Sequence, residues 1–323
     1  MSATSAPRQT ILITGAAGFA ARHLIERLVT TGADIVAWYR PGGHRPPAGL
    51  DGGDRVRWQA VDLLDAAAVD RAVAEVRPRH VYHLAGATHQ GRSFAEPAGV
   101  LRVNAMGTHH LLDALARHVP GARALVTSTG FVYQPRDTAL DEAAPLRPPS
   151  PYALSKLAQE LIARHAGQTT AVEVIVCRPF NHIGPGQSAD FFAASFARQI
   201  AAIVKGQASP VLRVGNLSAR RDLTDVRDVV RAYVSLMAHG TPGEVYNVCS
   251  GRAYAVREVL DGLIAQSGVK VDVQVDPNLL RPVDQPLLLG RCDKVREAVG
   301  WVPEIPLEQT LRDVLADWRD REG

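Results

Sequence analysis

Thr10-Ile-Leu-Ile-Thr14 runs directly into Gly15-Ala-Ala-Gly18-Phe19-Ala20-Ala21, after which apolar residues recur at helical spacing to Thr31 and Gly32 closes the run. A short apolar stretch bounded by a turn marks a strand buried on both faces. The glycines that follow let backbone approach a ligand closely. A helix that opens there presents amide N–H groups that no earlier turn satisfies. Strand, glycine turn and helix N-terminus together form the arrangement that cradles a pyrophosphate. The spacing is GxxGxxA, with alanine at the third small position. Gly15, Gly18, Phe19 and Ala20 are therefore candidate dinucleotide contacts. A merely structural strand-to-helix turn would use the same glycines, so the surrounding chain has to decide.

Outward from this turn the alternation continues. Strands read at Asp34–Tyr39, Val56–Val61, His80–Leu84, Ala124–Thr127 and Val172–Cys177, and helices from Asp65, over Val100–His118 and over Pro151–His165. Strands regularly separated by helices predict an α/β fold with a doubly wound parallel Rossmann sheet. After Arg178 the pattern loosens into Pro/Gly loops, a helix near Phe191–Val204, short strands around Val211 and Val245, and amphipathic helices at Val256–Gln266 and Leu307–Arg319. The expected division is a dinucleotide-binding domain over 1–178 plus about 222–248, and a smaller substrate domain over 179–221 and 249–323.

Bulk properties exclude several classes. A chain of 323 residues with 46% hydrophobic composition can bury a large core. The formal net charge is +3, and its Lys and Arg residues are scattered, which disfavours nucleic acid and suits a phosphate-bearing ligand. Cys177, Cys249 and Cys292 form no CxxC pair, and an odd count cannot all pair internally, so a reducing cytoplasm is expected. No stretch approaches the roughly 18 apolar residues of a membrane span. The histidines lack a spaced metal motif, so no metal is expected.

In an NAD site an acid at the end of the second strand would hold the adenine ribose, but here the strand ends Trp38-Tyr39-Arg40. Arg40 would instead meet a 2′-phosphate, which favours NADP(H) over NAD(H); an ordinary solvated charge is the alternative. Asp62-Leu63 follows the third strand and Leu84-Ala85-Gly86 the fourth, both at the edge where open α/β sheets bind ligands.

The reactive candidates lie further along. Tyr152 and Lys156 sit four residues apart at the opening of a helix, so they share one face. An ammonium beside a phenol stabilises phenolate and is expected to lower the tyrosine pKa, making Tyr152 a general acid for a carbonyl oxygen. Isolated YxxxK pairs are common on helix surfaces, but the preceding strand delivers the hydroxyl cluster Thr127-Ser128-Thr129 to the same sheet edge.

Glycine turn, strand-end hydroxyls, YxxxK and a split C-terminal half resemble the extended short-chain dehydrogenase/reductases. The resemblance implies that Thr129 polarises a carbonyl, Tyr152 gives the proton, and Lys156 holds ribose hydroxyls and tunes Tyr152. It places Asp62, Leu63, Leu84, Ala85, Gly86, Thr127 and Arg178 along the cofactor and makes Asn104 a buried steadying residue. Arg178-Pro-Phe-Asn-His-Ile-Gly-Pro-Gly-Gln187, Val214-Gly-Asn-Leu-Ser-Ala-Arg-Arg-Asp222, Tyr246-Asn-Val-Cys-Ser-Gly251 and Leu280-Arg-Pro-Val-Asp284 further resemble the GDP-4-keto-6-deoxy-D-mannose reductase group.

That resemblance implies hydride transfer to the C4 ketone of a nucleotide-diphosphate sugar, GDP-linked by preference, with GDP-D-rhamnose as product. Asn181, Arg220 and Arg281 would hold the diphosphate, and His89 would either touch the sugar or sit exposed in its loop. Relatives that dehydrate or epimerise carry a glutamate or cysteine two positions after the strand-end hydroxyl; here Thr129-Gly130-Phe131 offers neither. Tyr133-Gln134, Gly290-Arg291 and Thr88-His89-Gln90 depart from the pattern around the sugar, so opposite-face reduction to GDP-6-deoxy-D-talose stays open. A dinucleotide-sensing regulator on the same fold is the non-enzyme alternative. A homodimer pairing Val100–His118 and Pro151–His165 of each copy is also implied.

Overall fold

The computed structural model describes residues 10–43, 53–88, 90–280 and 285–321. In chain order the elements are β1 (Thr10–Thr14), α1 (Phe19–Val29), β2 (Asp34–Tyr39), β3 (Val56–Ala60), α2 (Ala66–Val76), β4 (His80–His83), α3 (Gln90–Ser93), α4 (Pro97–Leu101), α5 (Gly107–His118), β5 (Arg123–Thr127), α6 (Pro151–Thr169), β6 (Glu173–Pro179) and β7 (Asn181–Ile183). They continue with α7 (Phe192–Val204), β8 (Val211–Val214), β9 (Arg220–Asp225), α8 (Val226–His239), β10 (Val245–Val248), β11 (Ala253–Ala255), α9 (Val256–Ser267), β12 (Asp272–Val275), β13 (Leu287–Leu288), α10 (Asp293–Val299) and α11 (Leu307–Arg321).

Seven strands form one sheet in the order β10-β6-β5-β4-β1-β2-β3, and every pairing is parallel. The expected doubly wound sheet is thus the observed one. Strand order reverses between β1 and β4, which opens a crevice at their carboxyl ends. Helices cover both faces because the strands are apolar on both. Leu24, Ile25 and Leu28 of α1 join Val229, Val230 and Tyr233 of α8 on one side. Val69 and Val73 of α2, Leu111 and Leu115 of α5 and Ala163 of α6 pack the other.

Helix α8 was not legible as a helix in the loosened pattern after Arg178. Its apolar stripe is nonetheless regular, with Val226, Val229, Val230, Tyr233, Leu236 and Met237 buried and Asp225 capping the start through Arg227 N–H. Buried Asp228 then accepts the backbone N–H of Glu304 and Ile305, each at 2.8 Å. One helix thereby ties the large sheet to the chain leading into α11.

The remaining strands make smaller sheets. β11, β9 and β13 associate with β7 on β9, and β12 pairs with β8. Their core is supplied by Phe196 and Ile200 of α7, Val259 and Leu260 of α9, and Leu311 and Leu315 of α11. β9 lies in this second sheet, and the chain returns to the large one with α8.

The helix expected over Val100–His118 is interrupted. Residues Arg102–Met106 form one π-helical turn between α4 and α5. A π turn inserts an extra residue into the helical ladder, and the side chain carried inward here is Asn104, which is 1% exposed. Among the described residues no helix is long and apolar enough to cross a membrane.

Candidate active site

At the end of β1 the backbone of Gly15 takes φ +68°, and a Cβ there would stand 2.7 Å from both the N and Cα of Ala85. Only glycine permits that approach between the first turn and the segment after β4. Gly18 begins α1 with no side-chain cap, so the first-turn N–H groups of Phe19, Ala20 and Ala21 face the crevice mouth. Leu84, Ala85 and Gly86 supply the half-buried opposite wall. Such a cradle fits a dinucleotide pyrophosphate.

Other expected cofactor contacts surround it. Arg40 is exposed just beyond β2. Asp62 caps the turn after β3, accepting Leu64 N–H at 2.9 Å through Oδ1, which leaves Oδ2 for an adenine or ribose donor. The Leu63 carbonyl is held by His110 Nδ1 at 2.8 Å. Thr127 is buried, and its hydroxyl donates to the His83 carbonyl at 3.1 Å, joining β5 to β4.

Tyr152, Lys156 and Thr129 do come together. α6 opens with Ser150 as cap, its Oγ accepting Ala153 N–H at 3.2 Å, and Pro151 in the first turn. Tyr152 and Lys156 consequently face inward from the first two turns. Thr129, buried beyond β5, hydrogen-bonds the Tyr152 phenol through its hydroxyl and accepts Phe131 N–H at 3.3 Å. Between Tyr152 and Lys156, Ser155 Oγ donates to the Tyr152 carbonyl at 2.7 Å and accepts from Asn104 Nδ2 at 2.8 Å. Asn104 Oδ1 also accepts Ala87 N–H at 2.7 Å. This one amide therefore fixes α6 against the wall after β4.

Electrostatics corrects one expectation. The pairing with Lys156 was expected to lower the Tyr152 pKa; instead burial raises it, with the Thr129 hydrogen bond pulling the other way. Burial also pulls Lys156 down from 10.5 to about 7, opposed by the charge of Glu160. Its ammonium rests on Gln159 Oε1 at 2.5 Å. Burial thus shifts both groups toward the neutral state.

His83 is a residue that sequence reading missed. Thr108 Oγ1 donates to the Asn104 carbonyl at 2.7 Å, so it accepts from His83 Nε2 at 2.8 Å, and His83 Nδ1 accepts from Thr14 Oγ1 at 2.7 Å. Burial first, and the Lys156 charge second, pull His83 down to about 3. A neutral imidazole thus links the end of β1, β4 and the π turn. Nothing in its sequence setting distinguishes it from any other core histidine.

Arg178 does not serve the cofactor as expected. Its guanidinium is forked onto buried Glu160, with Nε to Oε2 at 3.0 Å and Nη2 to Oε1 at 2.5 Å, and Nη1 donates to the Tyr133 hydroxyl at 2.8 Å. A 2% exposed guanidinium so committed is a core tie between α6 and β6. Arg220 is exposed and gives Nη2 to the Ala253 carbonyl at 3.1 Å. Its neighbour Arg221 is buried and donates to the Gln285 carbonyl at 2.7 Å. Asn181 Oδ1 and Ser128 Oγ are buried without a hydrogen-bond partner in the protein, the condition expected of atoms that meet a ligand. His89 and Arg281 lie outside the described residues.

The family model described as GDP-mannose 4,6 dehydratase matches residues 12–314. GDP-6-deoxy-D-mannose reductase of Pseudomonas aeruginosa is 38% identical over 317 residues, covering 97% of this chain and 98% of that protein. The human GDP-mannose 4,6 dehydratase is 27% identical, over 96% of this chain and 91% of its own. Among solved structures, RMD from Pseudomonas aeruginosa complexed with NADPH has a TM-score of 0.84 at 37% identity, covering 97% and 99% of the two chains. Thermus thermophilus UDP-glucose 4-epimerase in complex with NAD has a TM-score of 0.84 at 29% identity, covering 96% and 99%.

Proposed function

We propose that this chain, which belongs to the GDP-mannose 4,6 dehydratase family of extended short-chain dehydrogenase/reductases, reduces the C4 ketone of GDP-4-keto-6-deoxy-D-mannose to GDP-D-rhamnose. The observation that carries this reading is Thr129 against Tyr152 with Lys156 one turn on, next to a phenyl ring at Phe131 where a dehydratase or epimerase needs an acid or thiol. A phenyl ring cannot remove a proton from a sugar carbon, so ketone reduction is the chemistry left.

The nicotinamide supplies the hydride when bound. A ketone oxygen placed between the Thr129 and Tyr152 hydroxyls accepts a hydrogen bond from each. Tyr152, kept protonated by burial, delivers its proton as negative charge grows on that oxygen. Lys156 then faces the phenolate left behind, and proton uptake by a lysine of pKa about 7 supplies the compensating charge near neutrality. Asn104 and Ser155 hold the first turn of α6 so that these atoms stay aligned.

NADPH is the favoured donor: the exposed Arg40 just beyond β2 supports a contact with a 2′-phosphate, and the Pseudomonas aeruginosa structure holds NADPH. Asn181 and Arg220, joined by Arg281 and His89, would hold the diphosphate and sugar, and GDP is favoured because that organism's relative is a GDP-sugar reductase. Exposed Leu101, Met106, Leu154 and Leu161 on α4 to α6 support pairing into a homodimer. Three free thiols suit the cytoplasm.

The test is NADPH consumption by the purified protein with GDP-4-keto-6-deoxy-D-mannose, run beside GDP-mannose. Oxidation with the ketone alone is expected. Turnover of GDP-mannose to the 4-keto-6-deoxy sugar would reassign the chain to dehydration.

A further inference from the structure

Cys249 and Cys292 are 43 positions apart in sequence, yet the fold seats them together. Cys249 follows β10 and is fully buried in a small cluster with Tyr133, Leu140, Phe180 and Leu288, and Cys292 packs against that cluster from the start of α10. A Cβ at Gly251 would lie 3.9 Å from Cys292 Sγ, and one at Gly290 would lie 2.6 Å from Cys249 Sγ. Each sulfur therefore rests against the loop that carries the other. Asp222 pins the two loops, its carboxylate accepting Ser250 N–H at 2.7 Å, Gly251 N–H at 3.0 Å and Gly290 N–H at 3.2 Å.

We propose that Cys249 and Cys292 form a hydroperoxide-responsive dithiol, in which Cys292 is the attacking sulfur and Cys249 closes the disulfide. Burial separates their roles. Cys292 is partly exposed, so a small peroxide can reach it, whereas Cys249 is sealed. Electrostatics points the same way. The Cys249 S–H donates to the Cys292 sulfur, which lowers Cys292 from 9.0 to about 7, while burial holds Cys249 well above its ordinary range. The thiolate is the nucleophile in this chemistry.

The electron count closes with the peroxide as sole oxidant. The Cys292 thiolate attacks one oxygen of the O–O bond, giving a sulfenic acid and a hydroxide ion. Hydroxide takes the Cys249 proton and leaves as water. The Cys249 thiolate then attacks the sulfenyl sulfur, forming the S–S bond and expelling a second hydroxide, which the proton first lost by Cys292 neutralises. Two thiols and one hydrogen peroxide become one disulfide and two waters. The two loops are already pinned side by side by Asp222, so closure asks that the sulfurs approach to the roughly 2.05 Å of a disulfide. Cys177, buried in the large-sheet core and pushed far up by that burial, should stay reduced and serves as an internal control.

The experiment uses the folded full chain, freed of reductant, treated with one equivalent of hydrogen peroxide, alkylated and mapped by mass spectrometry. The expected result is a peptide pair joined through Cys249 and Cys292, lost on adding dithiothreitol, with Cys177 alkylated throughout. In Cys249→Ser, Cys292 should stop at a sulfenic acid that dimedone traps, and in Cys292→Ser neither signal should form. Wild-type protein in which both thiols remain alkylatable after peroxide, or in which Cys292 overoxidises without joining Cys249, would overturn the proposal.

Discussion

Glu160→Gln probes stability and chemistry at once. The Glu160 carboxylate is 0% exposed and accepts two bonds from Arg178, which is itself 2% exposed. An amide keeps the shape but presents an N–H₂ to one guanidinium nitrogen and leaves the buried cation without its countercharge. Removing one partner of a buried pair costs about 3–5 kcal/mol. With an unfolding entropy of roughly 2.1 cal/mol/K per residue, that corresponds to a melting temperature about 4–7 °C lower for a chain of this size. Glu160 also raises Lys156, whose pKa is about 7. Without that charge Lys156 loses its proton at lower pH, so the alkaline fall of kcat/KM in the free enzyme should shift downward. Thermal unfolding read by circular dichroism and the pH profile of NADPH oxidation test the two halves. A melting temperature equal to wild type together with an unmoved pH profile would refute the reasoning.

Other expectations follow from single contacts. Tyr152→Phe removes only the proton donor and should lower kcat roughly 10²- to 10⁴-fold with the NADPH dissociation constant unchanged; normal turnover would discard the assigned role. Arg40→Ser should weaken NADPH roughly 10- to 100-fold, the worth of a lost charged hydrogen bond, while leaving NADH as it was, and equal losses for both would remove Arg40 from the phosphate. His83 has a folded pKa of about 3 against 6.5 unfolded. As pH falls through that window the unfolded chain takes the proton first, so wild type should lose up to about 1.4 kcal/mol per pH unit relative to His83→Gln; parallel denaturation curves would contradict this. Leu161→Lys on the exposed face of α6 should convert a dimer into a monomer by light scattering, and a wild type already monomeric would dispose of the paired-helix interface.

The glycine turn and the β1–α1 boundary were legible because buried parallel strands and a backbone-limited turn leave little freedom in residue choice. YxxxK was legible because helix geometry alone puts Tyr152 and Lys156 on one face. α8 escaped because its stripe starts inside a polar block, Thr224-Asp225-Val226-Arg227-Asp228, whose acids serve as cap and cross-link. Arg178 was misread because a guanidinium at a strand end looks the same whether it meets phosphate or a buried carboxylate; Glu160, eighteen residues upstream, decides between them. The contact of Cys249 with Cys292 depends on where β10 and α10 dock, which local spacing does not encode. The raised Tyr152 pKa is likewise a property of burial, and no local pattern reports it.

The most direct test of the central claim is a single turnover of GDP-4-keto-6-deoxy-D-mannose with NADPH deuterated at the transferable nicotinamide position, followed by NMR of the isolated sugar nucleotide. GDP-D-rhamnose with deuterium at C4 is the predicted product. Label at C4 in GDP-6-deoxy-D-talose would keep the chemistry and reverse the face. A product with no deuterium at C4 would contradict ketone reduction by this chain.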